Sequence, residues 1–257
     1  MVNAQQLTRV SRTEMARDIF RGYGPMDKHE VRQADTQGTE IERLRARRQL
    51  LRSMDPEQAL QVIEFHKDLN LFQALELAKR EGKLIVPNDV HDRILAETKD
   101  EEYLKQNYPL WTGTLIIYEK PDVPFGDQVI FQGLTFTVPE QFRGRANCAL
   151  VVEHPDFDLV DLGKNTYKIK LVDGANIYLI ENFPKNSNIW YNYDKRFRIP
   201  IGEESKHAEE DYTRNLWRED IHCISFIRRA FGTFNYGRRR GIVACDRLFD
   251  VFEVALF

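Results

Sequence analysis

With 257 residues, 42% of them hydrophobic, and a formal net charge of -3, the chain can bury a core as one large domain or two small ones, and its overall charge points to no polyanion partner. Three widely spaced cysteines, Cys148, Cys223 and Cys245, with no CxxC pair, argue against a disulfide framework or a zinc ribbon and suit free thiols in a reducing compartment. The opening MVNAQQLTRVSRTEMARD has no apolar signal-peptide core, and no window approaches the roughly 18 apolar residues of a membrane span, so a soluble protein of the cytoplasm or of a viral particle, without membrane contact, is expected.

Ser11-Arg-Thr-Glu14 has the form of a capping box and predicts a first helix that Gly22 and Gly24 stop. Residues 22–39 offer few apolar side chains and read as a mobile arm of the kind that reaches a neighbouring subunit. TEIERLRARRQLLRS, residues 39–53, is rich in helix formers. Its apolar stripe of Ile41, Leu44, Leu50 and Leu51 is thin, which predicts a solvated or partner-facing helix. Asp55-Pro56-Glu57-Gln58 starts another helix, whose core face is Leu60, Val62, Ile63 and Phe65. Asn70 with Gln73 repeats the capping pattern, and Gly82 ends that helix. Asn88 or Asp89 caps a brief helix after Pro87.

Near Pro109 the apolar period changes from three and four to two. Segments 113–118, 128–131, 134–138, 148–153, 167–172, 176–181 and 189–193 read as strands, with Asp173-Gly174 as a hairpin turn, in a mainly antiparallel sheet. Residues 203–231 return to helical spacing through Tyr212, Leu216, Trp217, Ile221, Ile224, Ile227 and Phe231, which predicts one long helix. Strands at 242–245 and 249–257 follow, and the apolar end Val254-Ala-Leu-Phe257 is expected to be tied into a sheet or against a neighbour. The fold class is α+β, with a helical region at 1–108 and a β region at 109–257 crossed by the long helix.

Charge is uneven. Residues 1–55 carry 11 basic against 8 acidic side chains, residues 56–108 carry 7 against 11, and residues 212–247 carry 8 arginines against 3 acids. The stretch Phe231-Gly-Thr-Phe-Asn-Tyr-Gly-Arg-Arg-Arg-Gly241 mixes aromatics and arginine. This is the chemistry that stacks bases and grips phosphates, so Arg228, Arg229, Phe234, Tyr236, Arg238, Arg239 and Arg240 are the nucleic-acid or anion-binding candidates. The competing reading is a tight helix-to-strand turn with solvated arginines. In the earlier helix, Arg45, Arg48 and Arg52 share one face and Arg43 and Arg47 another, which suits an ordinary charged face or the rim of a protein contact as well as a phosphate strip.

Glu204 and His207 have an i, i+3 metal-ligand spacing without a second such pair, and the acids around them suit a helix N-terminus. His222 and Cys223 are adjacent, so on a helix they cannot pair directly. Glu153, Asp156, Asp158 and Asp161 around His154 form the densest acidic cluster of the strand region and lack the lysine partner of a nuclease-type site, so they read as a loop with Asx-turns. Trp190, Tyr191 and Tyr193 with Arg196 and Arg198 read as sheet packing before ligand binding. His66 and His91 read as border or core residues. There is no GxGxxG, GxxxxGK[ST], GxSxG, HExxH or EF-hand loop, and no catalytic residue, metal ligand or cofactor is assigned.

The leading expectation is a non-catalytic structural or assembly subunit with other protein subunits as partners, a homo- or hetero-oligomer; a phage or viral particle component fits, as does a cellular complex. The first alternative is a nucleic-acid-binding or processing protein using the arginine and aromatic stretch. The second is a metal-dependent enzyme built on the acids at 153–161 or on Glu204 and His207.

Overall fold

The computed structural model describes residues 39–97, 110–185, 188–190, 193–202, 214–218, 223–234, 237–244 and 252–257. The expected helix at Ser11, the arm at 22–39 and the pair Glu204 and His207 lie outside these residues.

Helices come first: α1 (Glu40–Ser53), α2 (Pro56–Val62), α3 (Leu71–Glu81) and α4 (Asn88–Glu97), with strand β1 (Glu64–Leu69) between α2 and α3. Their ends obey local chemistry. The Asp55 carboxylate accepts from the Glu57 N–H with Pro56 in the first turn. Asn70 and Gln73 form a reciprocal capping box, and Gly82 closes α3 at φ 59°.

Two sheets follow. The larger has nine strands: β1, β2 (Leu110–Tyr118), β5 (Ala149–Glu153), β8 (Ile177–Ile180), β9 (Asn188–Trp190), β10 (Arg214–Arg218), β11 (Cys223–Phe234), β12 (Gly237–Ala244) and β13 (Phe252–Leu256). Its main path is β1-β13-β2-β11-β12-β10-β9, and β5 pairs with β2 and with β8. The smaller sheet runs β3 (Gln128–Phe131), β4 (Leu134–Thr137), β7 (Thr166–Leu171), β6 (Phe157–Gly163). Most pairs are antiparallel; β2–β13, β10–β12 and β4–β7 are parallel.

β2 and β5 are buried along their whole length, as continuous apolar runs covered on both faces should be. One apolar cluster, with Trp111, Leu115 and Ile117 of β2, Val129 and Phe131 of β3 and Phe136 of β4, joins the two sheets. A second gathers Leu44 and Leu51 of α1, Ala59 of α2, Val90 and Ile94 of α4, and Leu110 and Ala255. Gly113 sits where one edge of β2 passes from β13 to β5. Its N–H donates to the Val86 carbonyl at 2.8 Å, and a Cβ there would come within 2.2 Å of the Ile85 carbonyl oxygen. Only glycine admits the 84–86 segment this closely.

Four expectations need correction. The long helix at 203–231 is absent from the described residues, because 214–218 and 223–234 are the strands β10 and β11. Residues 223–234 are rich in β-branched and aromatic types, and antiparallel pairing with the fully buried β2 outweighs a pattern that also fits a helix. The helix from Pro56 ends at Val62, and the residues beyond it form β1, paired with β13. Asp173-Gly174 is no hairpin turn, since β7 and β8 belong to different sheets. Arg238, Arg239 and Arg240 lie in strand β12 rather than in a loop; the connection from β11 is only residues 235–236, so Tyr236 lies outside the described residues. The apolar C-terminal segment is tied into the sheet, as expected.

Candidate functional site

Four places gather chemistry-bearing groups. The most buried is an arginine–carboxylate cluster between α1 and the corner that joins β5 to β6. Arg45, Arg48 and Arg52 stand at i, i+3 and i+7 on one helix face, and all three meet acids. Arg45 Nε is 2.6 Å from Asp156 Oδ1 and its Nη2 donates to the Gly174 carbonyl at 2.9 Å. Arg48 Nη2 is 3.0 Å from Asp156 Oδ2, its Nη1 donates to the carbonyls of Glu153 and His154 at 3.2 Å, and its Nε is 3.7 Å from Glu153 Oε2. Arg52 grips Asp89 through two bonds of 2.9 and 2.8 Å and reaches Glu153 Oε1 at 2.5 Å.

Arg48, Glu153 and Asp156 are buried. The solvated or partner-facing reading of this helix is therefore wrong for the face that carries Leu44, Arg48 and Leu51. The loop reading of 153–161 fails too: Glu153 and Asp156 are internal ion-pair partners, and Asp158 and Asp161 lie on β6, where Asp161 still accepts the Gly163 N–H at 2.7 Å as in an Asx-turn.

Burial pushes the Glu153 carboxyl above its ordinary range, while Arg52 and Arg48 pull it back. Burial alone would lower the Arg52 guanidinium, but Asp89 and Glu153 hold it well above its usual value. His154 is neutral: burial first, then Arg48, lowers it to about 4, and its Nδ1 accepts the Ile85 N–H at 3.3 Å. Three guanidinium groups face three carboxylates, so the charges of these six residues balance. The cluster fastens α1 to the sheet, and a partner removed from it would strand a buried ion.

The second place is the edge strand β1. Glu64, His66 and Glu81 bring ligand atoms within 4.8 Å of one another. The Lys83 ammonium already lies 2.7 Å from Glu64 and 2.9 Å from Glu81. Burial would lower Lys83, yet the two carboxylates raise it, and Lys83 in turn lowers Glu81. The lysine itself is the cation that these acids hold.

The third is a hollow of about 350 Å³ lined by Arg145, Asn147, Cys148, Leu179, Glu181 and Asn182. Burial raises the Cys148 thiol, which opposes thiolate chemistry there. Cys148 and Cys223 are buried free thiols.

The fourth holds the sequence-assigned arginines. Arg228 and Arg229 lie on β11, paired with Val243 and Ile242, and Arg238, Arg239 and Arg240 lie on the adjacent strand β12, paired with Thr233, Gly232 and Phe231. β10 adds Arg214 and Arg218, which the sequence reading had placed on the long helix. Strands β10 to β12 contain seven arginines and no acidic residue. Phe234 ends β11. Of the other candidates, Arg196 stacks on Tyr178 at 3.7 Å and Arg198 faces Tyr193 at 5.0 Å, internal uses for both guanidiniums; Tyr191 and His222 lie outside the described residues.

No helix among the described residues is long and apolar enough to cross a membrane. No known family model, curated protein or solved structure matches the chain.

Proposed function

We propose that the chain is a non-catalytic assembly subunit that pairs with a second copy of itself through the smaller sheet. One observation carries this reading. Of the large apolar side chains exposed among the described residues, Ile130, Val160 and Leu162 lie on β3 and β6, the two edges of that sheet. Leu162 is 59% and Ile130 55% exposed. Unpaired strand edges that carry apolar side chains are templates for pairing with another chain, which soluble monomers ordinarily blunt with charge.

Light-scattering mass across a concentration series tests the reading. The expected result is a defined oligomer that Val160→Lys with Leu162→Lys converts to monomer. A wild-type chain that stays monomeric at high concentration overturns it.

A second reading, nucleic-acid binding, is favoured by a separate observation, the seven arginines of β10 to β12 in strands with no acid among them.

A further inference from the structure

The smaller sheet presents two unlike surfaces. Val129, Phe131, Leu134, Phe136, Phe157 and Ile169 are buried in the core. The opposite surface can be followed strand by strand: Ile130 is opposite Thr135, Thr135 is beside Lys168, and Lys168 is opposite Val160. Residues level with one another share a face of a sheet, so one row reads Ile130, Thr135, Lys168, Val160 across β3, β4, β7 and β6. The middle of the row is polar and both ends are apolar. Ile130 is 55% exposed, Val160 39% and Leu162, farther along β6, 59%. On either side of this row the strands carry polar pairs, Gln128 opposite Thr137 and Asp158 opposite Lys170.

Strand direction limits how two copies can join. β3 is antiparallel to β4, β4 is parallel to β7 and β7 is antiparallel to β6, so β3 and β6 run the same way. Copies with their outer faces on one side therefore meet in one of three ways. β6 with β6 and β3 with β3 are antiparallel and two-fold, whereas β6 with β3 is parallel and head to tail. A β6–β6 pair leaves Ile130 in water, and a β3–β3 pair leaves Val160 and Leu162. The head-to-tail contact, repeated from copy to copy, covers all three.

Charge makes the same choice. β6 carries Asp158 and Asp161, and β3 carries no charged residue. A β6–β6 seam gathers four carboxylates, and like charges across a strand pair are destabilising. A β6–β3 seam with Val160 level with Ile130 sets Asp158 level with Gln128, an uncharged amide able to donate to a carboxylate.

We infer that copies of this chain join head to tail, β6 of one running parallel to β3 of the next with Val160 level with Ile130. The contact is heterologous, so it repeats beyond two copies, as a ring where the rotation closes and as a filament where it does not. The inference rests on the assembly reading above and adds which edge meets which.

Its test is the light-scattering mass of the full chain and of two variants, alone and mixed one to one. Ile130→Lys blocks β3, and Val160→Lys with Leu162→Lys blocks β6. All three side chains are exposed, so circular dichroism melts should match the wild type; threonine at the same positions supplies a milder pair of variants if they do not. The wild type is expected at more than two chain masses and each variant alone at one. The mixture is expected at two, because the free β6 of the first variant meets the free β3 of the second. A wild type that stays monomeric overturns both the inference and the assembly reading. A wild type of two chain masses, an Ile130→Lys variant that still dimerises alone, or a mixture that stays at one chain mass overturns the inference alone.

Discussion

Arginine is used in two opposite ways in this molecule. On α1, Arg45, Arg48 and Arg52 are matched to Asp156, Glu153 and Asp89, three charges against three, with Arg48, Glu153 and Asp156 buried and the others half-buried. On β10 to β12, seven arginines share strands with no acid at all. A guanidinium taken out of water must be paired to be tolerated, so the first set holds the fold. The second set has no acidic residue within its own strands to pair with. Mutation should therefore separate the sets cleanly: stability for one, binding for the other.

The largest effect is expected at Arg48. Arg48→Met leaves Glu153 and Asp156 with buried charge short of a partner and two carbonyls short of a donor, and should cost about 3–5 kcal/mol in a denaturant titration. A loss under about 1 kcal/mol would break the contrast. Acid should act next, at the same corner. The neutral His154, lowered to about 4, contributes stability that is complete above its ordinary value of 6.5 and lost as pH falls from there through 4, about 3 kcal/mol in all. Glu153, with its carboxyl raised, works in the opposite direction over acid pH, so the difference between wild type and His154→Gln isolates the histidine.

Smaller effects belong to exposed ions. Lys83→Met removes a pair with Glu64 and Glu81 at the sheet edge and should cost less than about 1 kcal/mol. Smallest of all, Arg240→Ala should change stability by no more than about 0.5 kcal/mol, and in the stabilising direction, because it relieves a like-charged neighbour. A loss of several kcal/mol there would place the strand arginines in the same structural class as Arg48.

What could be read in the sequence was local. The caps at Asp55, Asn70 and Gly82 are three-residue chemistry and hold in the structure, and β2, β3, β4, β5, β7 and β8 announce themselves by β-branched and aromatic runs. β1 did not, since EFHKDL has no strong alternation and becomes a strand only because β13 lies beside it. The broad stripe from Tyr212 to Phe231 satisfied helical spacing, and nothing nearby in sequence marked β2 as the partner that decides otherwise. The site divided the same way. Helical spacing placed Arg45, Arg48 and Arg52 on one face, but the acids that meet Arg48 lie 105 and 108 positions away, where no local rule reaches. Likewise the run Arg238-Arg239-Arg240 showed its charge, while its place on a strand paired with β11 needed the fold.

The position of β13 sets the order in which the larger sheet can be completed. β13 lies between β1 and β2, bonded to Glu64–Leu69 on one side and to the start of β2 on the other, and Leu84 and Phe257 exchange backbone hydrogen bonds beside it. Two strands formed early in the chain thus stay apart until a segment far downstream slots between them. Closure over so long a loop is a slow kind of contact to make. Until residues 252–256 are available, the edges of β1 and β2 that β13 covers lack that strand, and unpaired edges of this kind are where misassociation begins.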